Sequence, residues 1–373
     1  MKEIALEFLK IITDNGYKAY IVGGFVRDFL MNLESKDIDI TTNATPKEIK
    51  NIFKKVEFSK QINDEESYGS TRVNYKNILF EVTTFRKELE YFDNRHPSSI
   101  IYVDDLETDL KRRDFTINAI CMDKEGNIID PLNGRRDLEE KLIKTINESQ
   151  KSFSDDALRI LRAIRFSTTL QFKLDEDIIK SIKNTKDYLK NISYERKKIE
   201  LDKIFASRNA KYGINLIKEL DLVNSLELEN IDRIKDYSDL NSIWSMINSS
   251  VYRFTKPEKE LIKKVNVVYS LDNLNPLVLY KYGLYVNLLS GLNKGINKKQ
   301  ITKCYNELPI KSKSDIQIAA NDICKILKQK PGSFLNHIYN TLEIEILTGN
   351  LENNLDEIKK YIQKNFNKVN IWL

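Results

Sequence analysis

The sequence predicts an α+β protein, with a mixed sheet and helices in its first third and helices alone thereafter. Three observations carry this. Runs rich in β-branched and aromatic residues, YKAYIVGG, DIDITT, GSTRVNY, ILFEVTTF and INAICM, follow a leading helical segment and stop near residue 130. DPLNGRRDLEEKL then couples a turn signal, Pro131 with Asn133-Gly134, to the start of a helix. From about residue 150 onward apolar residues recur every three or four positions, as Leu158, Leu161 and Ile164 do, which is the period of a helix with one buried side.

The leading segment, MKEIALEFLKIITDNG, carries Glu3, Glu7 and Asp14 and reads as an amphipathic helix, not as a secretory signal. A cytoplasmic protein is therefore expected. With 373 residues, 41% apolar and 31% charged, the chain predicts a soluble protein of two or three domains, and no window reaches the run of about eighteen apolar residues that a membrane span needs. Cys121, Cys304 and Cys324 are odd in number and far apart, which predicts buried thiols in place of disulfides or zinc ligands. His96 and His337 are the only histidines and neither precedes an aspartate, so an appended histidine-aspartate phosphohydrolase is disfavoured.

YKAYIVGG reads as a strand that runs into Gly23-Gly24, with a helix starting near Phe25. Glycines let a backbone approach a phosphate closely, and a helix start offers free N–H groups to it. Arg27, in the first turn, is positioned to reach a triphosphate oxygen; no Gly-Lys-Ser/Thr follows, so this is not a Walker loop. In DIDI, a strand period of two puts Asp37 and Asp39 on one face and turns Ile38 and Ile40 to the core. Two converging carboxylates suit hard Mg²⁺ ions in phosphoryl transfer.

DDALRILRAIRF, drawn on a helix, sets Asp156, Arg159, Arg162 and Arg165 in one stripe and Leu158, Leu161 and Ile164 opposite. Three arginines against one carboxylate leave positive charge suited to a nucleotide. Farther on, 294–313 holds Lys294, Lys298, Lys299, Lys303, Lys311 and Lys313 against the single acid Glu307. With a net charge of +5, this cluster points to a polyanionic partner, with a solvated helix face as the competing reading.

GGFVRD followed by KDIDIT resembles the head of the class II branch of the DNA polymerase β nucleotidyltransferase superfamily, which comprises CCA-adding tRNA nucleotidyltransferases and bacterial poly(A) polymerases. The resemblance continues in order through FEVTTFR (80–86), YFDNRHP (91–97), DLKRRDFTINAI (109–120), DPLNGRRDL (130–138), DDALRILRAIRF (155–166), SYERKKIEL (193–201) and LPIKSKSDIQIAANDI (308–323), the last similar to the tail of Bacillus-type CCA enzymes. It implies a polymerase β-like catalytic head over 1–148, a neck of base-recognition helices over 149–205, a helical body over 206–297 and an RNA-binding helical tail over 298–373. Asp37 and Asp39 match the metal-binding pair. Gly24 with Arg27 match the triphosphate-binding turn and Arg113, beside Arg112, matches a phosphate contact, with Gly23 and Arg112 expected to bind the nucleotide alongside them. Glu81 falls where relatives carry a third acid. A strand glutamate paired with Arg86 is the competing reading of Glu81. Asp156 and Arg159 match the pair that reads the incoming base, and Arg162 and Arg165 match nucleotide contacts. Asp155 replaces the usual glutamate before Asp156, and Ala320 replaces a common glycine.

The implied reaction is template-independent addition of C and A to the 3′ end of tRNA from CTP and ATP, with Mg²⁺ as cofactor. Lys294, Lys298, Lys299, Lys311 and Lys313, with Arg253, Lys256, Lys263 and Lys264, are expected to meet the tRNA backbone. Within the family, an A-adding enzyme or a poly(A) polymerase is the alternative. YFDNRHP disfavours CC-only addition, and a non-catalytic RNA-binding protein is disfavoured because the carboxylates are all present.

Overall fold

Helix α1 (Lys2–Asp14) forms on the spacing of Ala5, Phe8, Leu9 and Ile12, all fully buried. The computed structural model describes residues 1–35, 37–57, 59–65, 69–89, 99–247 and 249–366. The chain divides into two units, Met1–Glu227 and Leu228–Leu373.

In the first unit, β1 (Ala19–Val22) leads through Gly23 into α2 (Gly24–Leu30), then β2 (Ile38–Thr42) and α3 (Pro46–Phe53). Thr45 and Glu48 close a capping box on α3. Strands β3 (Ser59–Glu65), β4 (Ser70–Tyr75) and β5 (Ile78–Thr84) follow, then the small hairpin partners β6 (Arg86–Glu88) and β7 (Ile100–Tyr102). Helix α4 (Leu106–Lys111), β8 (Cys121–Met122) and β9 (Ile128–Ile129) complete this part. The main sheet has the order β3-β4-β5-β2-β1-β8-β9, with β2 parallel to β5 and the other neighbours antiparallel, so it is mixed as predicted.

One face of that sheet is apolar and covered. Ile38 lies opposite Phe80 and Ile40 opposite Val82 on β2 and β5, each 1% exposed or less. The Phe8 ring of α1 stacks on Phe80 at 4.0 Å and on Phe53 of α3 at 4.4 Å. Burying these aromatic rings supplies much of the local stability, at roughly 25 cal/mol per Å² of apolar area. Because strand side chains alternate, the intervening residues of β2 and β5 point to the other face, where the polar residues gather.

Past residue 130 come α5 (Gly134–Glu139), β10 (Leu142–Ile143), α6 (Ser149–Asp155), α7 (Leu158–Leu170), β11 (Lys173–Leu174), α8 (Glu176–Thr185), α9 (Tyr194–Phe205) and α10 (Ala210–Glu219). The expectation that strands stop near 130 is corrected by the parallel pair β10–β11; two-residue strands are too short to show an alternating pattern. Helix α7 packs against α9, with Leu161 and Ile164 wholly buried.

The second unit is all-helical among its described residues: α11 (Leu240–Met246), α12 (Lys256–Tyr269), α13 (Pro276–Asn293), α14 (Lys298–Asn306), α15 (Ala320–Leu327), α16 (Phe334–Leu347) and α17 (Leu355–Phe366). Its core gathers Leu279, Ile301, Ile323, Ile338, Leu342 and Ile358. Helix α13 is broken at Gly283, whose φ of 76° and ψ of 170° suit glycine. No described helix is long and apolar enough to cross a membrane. Cys121 and Cys324 are buried and Cys304 partly so, all three unbridged, in line with the reading of them as thiols.

Candidate active site

The strand register assembles the carboxylates. Asp39 is the direct partner of Glu81 across β2 and β5, and Asp37, two residues before Asp39, comes to the same polar face just ahead of β2. Burial raises the Asp39 carboxyl above its ordinary value; Arg113 opposes this, while the neighbouring Glu81 and Asp37 charges add to it. Glu81 itself is half exposed. Its partners are Arg72, at 3.8 Å, and the Ser70 hydroxyl at 3.5 Å, whereas Arg86 pairs with Glu88 at 2.7 Å. The competing reading of Glu81 as the partner of Arg86 is therefore replaced by a loose cross-strand pair with Arg72, because β4 sets Arg72 directly opposite Glu81.

Gly23 bends the chain beside these acids. Its φ of 77° is in the left-handed region, and a Cβ there would lie 3.5 Å from Asp39 Oδ2 and 3.9 Å from Arg113 Nη1. Arg27 is 8% exposed and already engaged: Nη1 donates to Asn118 Oδ1 at 2.7 Å, and Nε and Nη2 donate to Asp28 Oδ1 at 2.9 and 2.7 Å. It lines the cleft as a fixed group instead of a reaching arm.

Two acids that the sequence reading passed over organise the arginines. Asp109, fully buried, accepts from the Thr41 hydroxyl at 2.8 Å, the Arg86 amide at 3.2 Å, Arg112 Nε at 2.8 Å and Arg113 Nη2 at 3.5 Å. It thus ties β2 to α4 and to both arginines that follow it. Its spacing, three residues before Arg112 and four before Arg113 at a helix end, is a pattern the sequence already contains. Asp114 accepts from the Phe115 amide, Asn118 Nδ2 and Arg162 Nε, the last at 2.7 Å. Burial works against its charge, but Arg162 and Asn118 more than offset this and hold its carboxyl down at about 2.

Arg159, Arg162 and Arg165 line up on α7, but the expected four-residue stripe is corrected, because the chain breaks between α6 and α7 and leaves Asp156 outside the helix with φ of −140° and ψ of 100°. The charge of the arginines is largely met from outside the helix. Arg162 has Asp114, and Arg165 donates to Glu200 of α9 while lying over the Phe166 ring, 3.8 Å from its centre. Arg159 donates to Ser152 Oγ at 2.9 Å and to the Arg112 carbonyl at 2.8 Å, joining α6 to the end of α4. Asp156 lies between α6 and α7, where its Oδ1 accepts from the Leu158 amide at 3.0 Å. Burial raises its carboxyl, opposed by Arg159, that amide, Arg162 and Arg196. The expectation of surplus stripe charge is corrected, because acids distant in sequence converge on it.

Asp37, Asp39, Glu81, Gly23, Gly24, Arg27, Arg112, Arg113, Asp156, Arg159, Arg162 and Arg165 all line one cleft of about 770 Å³, joined by Arg196 and Lys203, which the sequence reading did not single out. Among the described residues no three or more His, Cys, Asp or Glu side chains are gathered closely enough to hold a metal ion by themselves. An oxygen-only pair of carboxylates is nonetheless what Mg²⁺ takes, since it keeps waters and substrate phosphates in the rest of its shell. The YFDNRHP stretch lies outside the described residues.

In the second unit the predicted RNA-contacting lysines divide. Lys298 and Lys299 are exposed at the start of α14 with no side-chain partner among the described residues. Lys303 is 3.8 Å from Glu307, Lys311 lies over the Tyr305 ring and Lys313 donates to Asn340 Oδ1. Arg253, Lys256, Lys263 and Lys264 are exposed. Lys294 is a correction: its ammonium donates to the Leu271 carbonyl and, at 2.7 Å, to Asn273 Oδ1, and burial lowers its pKa. It ties the α12–α13 connection to the end of α13 and is spent as a structural group.

Three family models match. Residues 19–144 match the poly(A) polymerase head domain, 171–231 the probable RNA and SrmB-binding site of polymerase A, and 250–362 tRNA nucleotidyltransferase domain 2. The chain is 35% identical to the CCA-adding enzyme of Staphylococcus haemolyticus over 97% of each, and 33% identical to that of Ligilactobacillus salivarius over 96% of each. Among solved structures it is similar to the Bacillus stearothermophilus CCA-adding enzyme in complex with CTP, with a TM-score of 0.78, 26% identity and 96% coverage of each chain. It shares the fold of the Thermotoga maritima CCA-adding enzyme complexed with tRNA, at a TM-score of 0.73 and 21% identity over 96% of this chain and 94% of that one.

Proposed function

This chain belongs to the family of CCA-adding tRNA nucleotidyltransferases, and on that premise we propose that it completes the 3′ end of tRNA with C, C and A from CTP and ATP, releasing pyrophosphate. The observation that carries this reading is that the β2–β5 carboxylates and the Asp156–Arg159 pair open into one cleft, so that a single nucleotide can be held at both its phosphates and its base. A cytoplasmic location accords with a tRNA substrate.

Asp37 and Asp39 would hold Mg²⁺, with Glu81 beside them, and the ion would supply a lowered pKa for the RNA 3′-hydroxyl and neutralising charge for the departing pyrophosphate. Arg113, steadied by Asp109, and the glycine turn at Gly23-Gly24 restrain the triphosphate, with Arg27 and Arg112 as fixed charges beneath it. Holding both reactants in line converts a bimolecular step into a positioned one.

Asp156 and Arg159 read the base. A carboxylate only accepts and a guanidinium only donates, so together they match the amino donor beside a ring acceptor that cytosine and adenine share. Uracil and guanine set a carbonyl against the carboxylate, at a cost of about 1–3 kcal/mol per unpaired group. Arg162, fixed by Asp114, and Arg165, fixed by Glu200, stand behind this pair. The head over 1–148 thus performs the chemistry and the neck over 149–205 the selection, while Lys298 and Lys299 in the tail meet tRNA phosphates.

The test offers purified protein three tRNAs, ending at the discriminator base, in C and in CC, with CTP and ATP separately and together. Full CCA addition to the first, needing both nucleotides, supports the reading. Extension of the CC-ending tRNA alone would make it an A-adding enzyme, and long A tracts a poly(A) polymerase.

A further inference from the structure

Helix α9 contributes a line of charge to the cleft that the nucleotide-binding account leaves unused. Arg196, Glu200 and Lys203 fall at i, i+4 and i+7, on one side of the helix. Glu200 is 4% exposed and engaged by Arg165, so its charge is already met. Arg196 and Lys203, one turn to either side, are exposed and line the cleft mouth. Ile199, on the outer flank of the same face, is 53% exposed, an unusual position for an isoleucine.

The two cations differ from the others around them. Each of the other arginines lining the cleft has a carboxylate, hydroxyl, amide or carbonyl partner, from Arg27 on Asp28 and Asn118 to Arg159 on Ser152. Arg196 and Lys203 have no hydrogen-bond or ion-pair partner among the described residues, although the Arg196 charge bears on the Asp156 carboxyl. They stand about 10 Å apart along the helix axis, far enough to meet different phosphates of one strand. An open pair of cations with an apolar surface beside it is the arrangement that binds single-stranded nucleic acid, with the backbone on the charges and a base or ribose against the side chain.

We propose that Arg196 and Lys203 form a phosphate-binding rim that seats the sugar-phosphate backbone of the RNA 3′ end beside the incoming nucleotide. The inference rests on the proposed tRNA-extending activity and adds a residue-level seat for the primer strand. The incoming triphosphate is served instead by the carboxylate face and Arg113, on the head side of the cleft. The rim therefore acts on RNA affinity and leaves nucleotide affinity alone.

The experiment uses the full chain carrying Arg196→Ala and Lys203→Ala together. Steady-state extension of tRNA lacking CCA gives KM for tRNA at saturating CTP and KM for CTP at saturating tRNA, and filter binding of the same tRNA is measured across salt concentrations. The expected result is a tenfold or greater rise in KM for tRNA, a change under twofold in KM for CTP, and a log Kd against log salt slope shallower by about 1–2. The charge-conserving Arg196→Lys with Lys203→Arg should recover most of the tRNA affinity, and the thermal midpoint should not move. A rise in KM for CTP with tRNA unaffected would assign the pair to the triphosphate and overturn the proposal, as would no change in either. If the unaltered protein binds tRNA but extends none, the functional reading fails while filter binding still decides the rim.

Discussion

Asp39 and Glu81 are side-by-side partners on adjacent parallel strands, the one largely enclosed and the other half open to the cleft. This asymmetry ranks them. Asp39 carries a charge that burial and its acidic neighbours disfavour, so a bound cation relieves it most. Under the proposed metal assignment Glu81, braced loosely by Arg72, has the lesser role.

Asp37→Ala and Asp39→Ala are each expected to lower kcat by about three orders of magnitude while tRNA binding stays within twofold. Glu81→Gln should cost only about tenfold. Single-turnover CTP incorporation, with circular dichroism to verify folding, checks this; more than a few per cent activity in both aspartate variants would remove the metal assignment.

Asp114 links stability to acid. Its folded carboxyl is depressed to about 2, so the stabilisation is present above the unfolded value, near 4, and is lost as pH falls through about 2. At neutral pH it amounts to about 2 kcal/mol, discounted because Arg162 is about one-third exposed. Urea unfolding of the unaltered protein and Asp114→Asn should show a gap at pH 7 that narrows steadily toward pH 2. A gap independent of pH would place the effect elsewhere.

Lys294 and Lys298 separate structure from binding within one charge cluster. Lys294→Ala should lower the thermal midpoint by a few degrees, through loss of two hydrogen bonds worth about 1 kcal/mol each. Lys298→Glu with Lys299→Glu should leave the midpoint unchanged and weaken tRNA binding about tenfold with a shallower salt slope. Differential scanning fluorimetry and filter binding on both variants test the division.

Much of this site is visible in local spacing. Alternation in DIDI puts Asp37 and Asp39 on one face, the three-residue step in DDALRILRAIRF lines up the arginines, and both arrangements hold in the fold. What spacing cannot show is which distant groups meet them. Asp114 is 48 residues from Arg162 and Glu200 is 35 from Arg165, so the neutralisation of the stripe depends on tertiary packing of α7 against α9 and the head. Lys294 looks like its neighbours in sequence, yet the turn after α12 brings the Leu271 carbonyl to it. The strands β10 and β11, two residues each, carry no period at all.

The central claim is that a protein side chain, not a nucleic-acid template, selects C and A. Asp156 also holds the Leu158 amide, so its replacement has a structural component that must be measured alongside. The decisive measurement is kcat/KM for CTP, ATP, UTP and GTP on the same tRNA for the unaltered protein and Asp156→Ala, with thermal midpoints for both. The account predicts that the CTP to UTP ratio falls roughly fivefold to a hundredfold, as removal of an acceptor worth about 1–3 kcal/mol implies, while the midpoint falls only slightly. An unchanged ratio in a stably folded Asp156→Ala protein would contradict it and show that the base is read elsewhere.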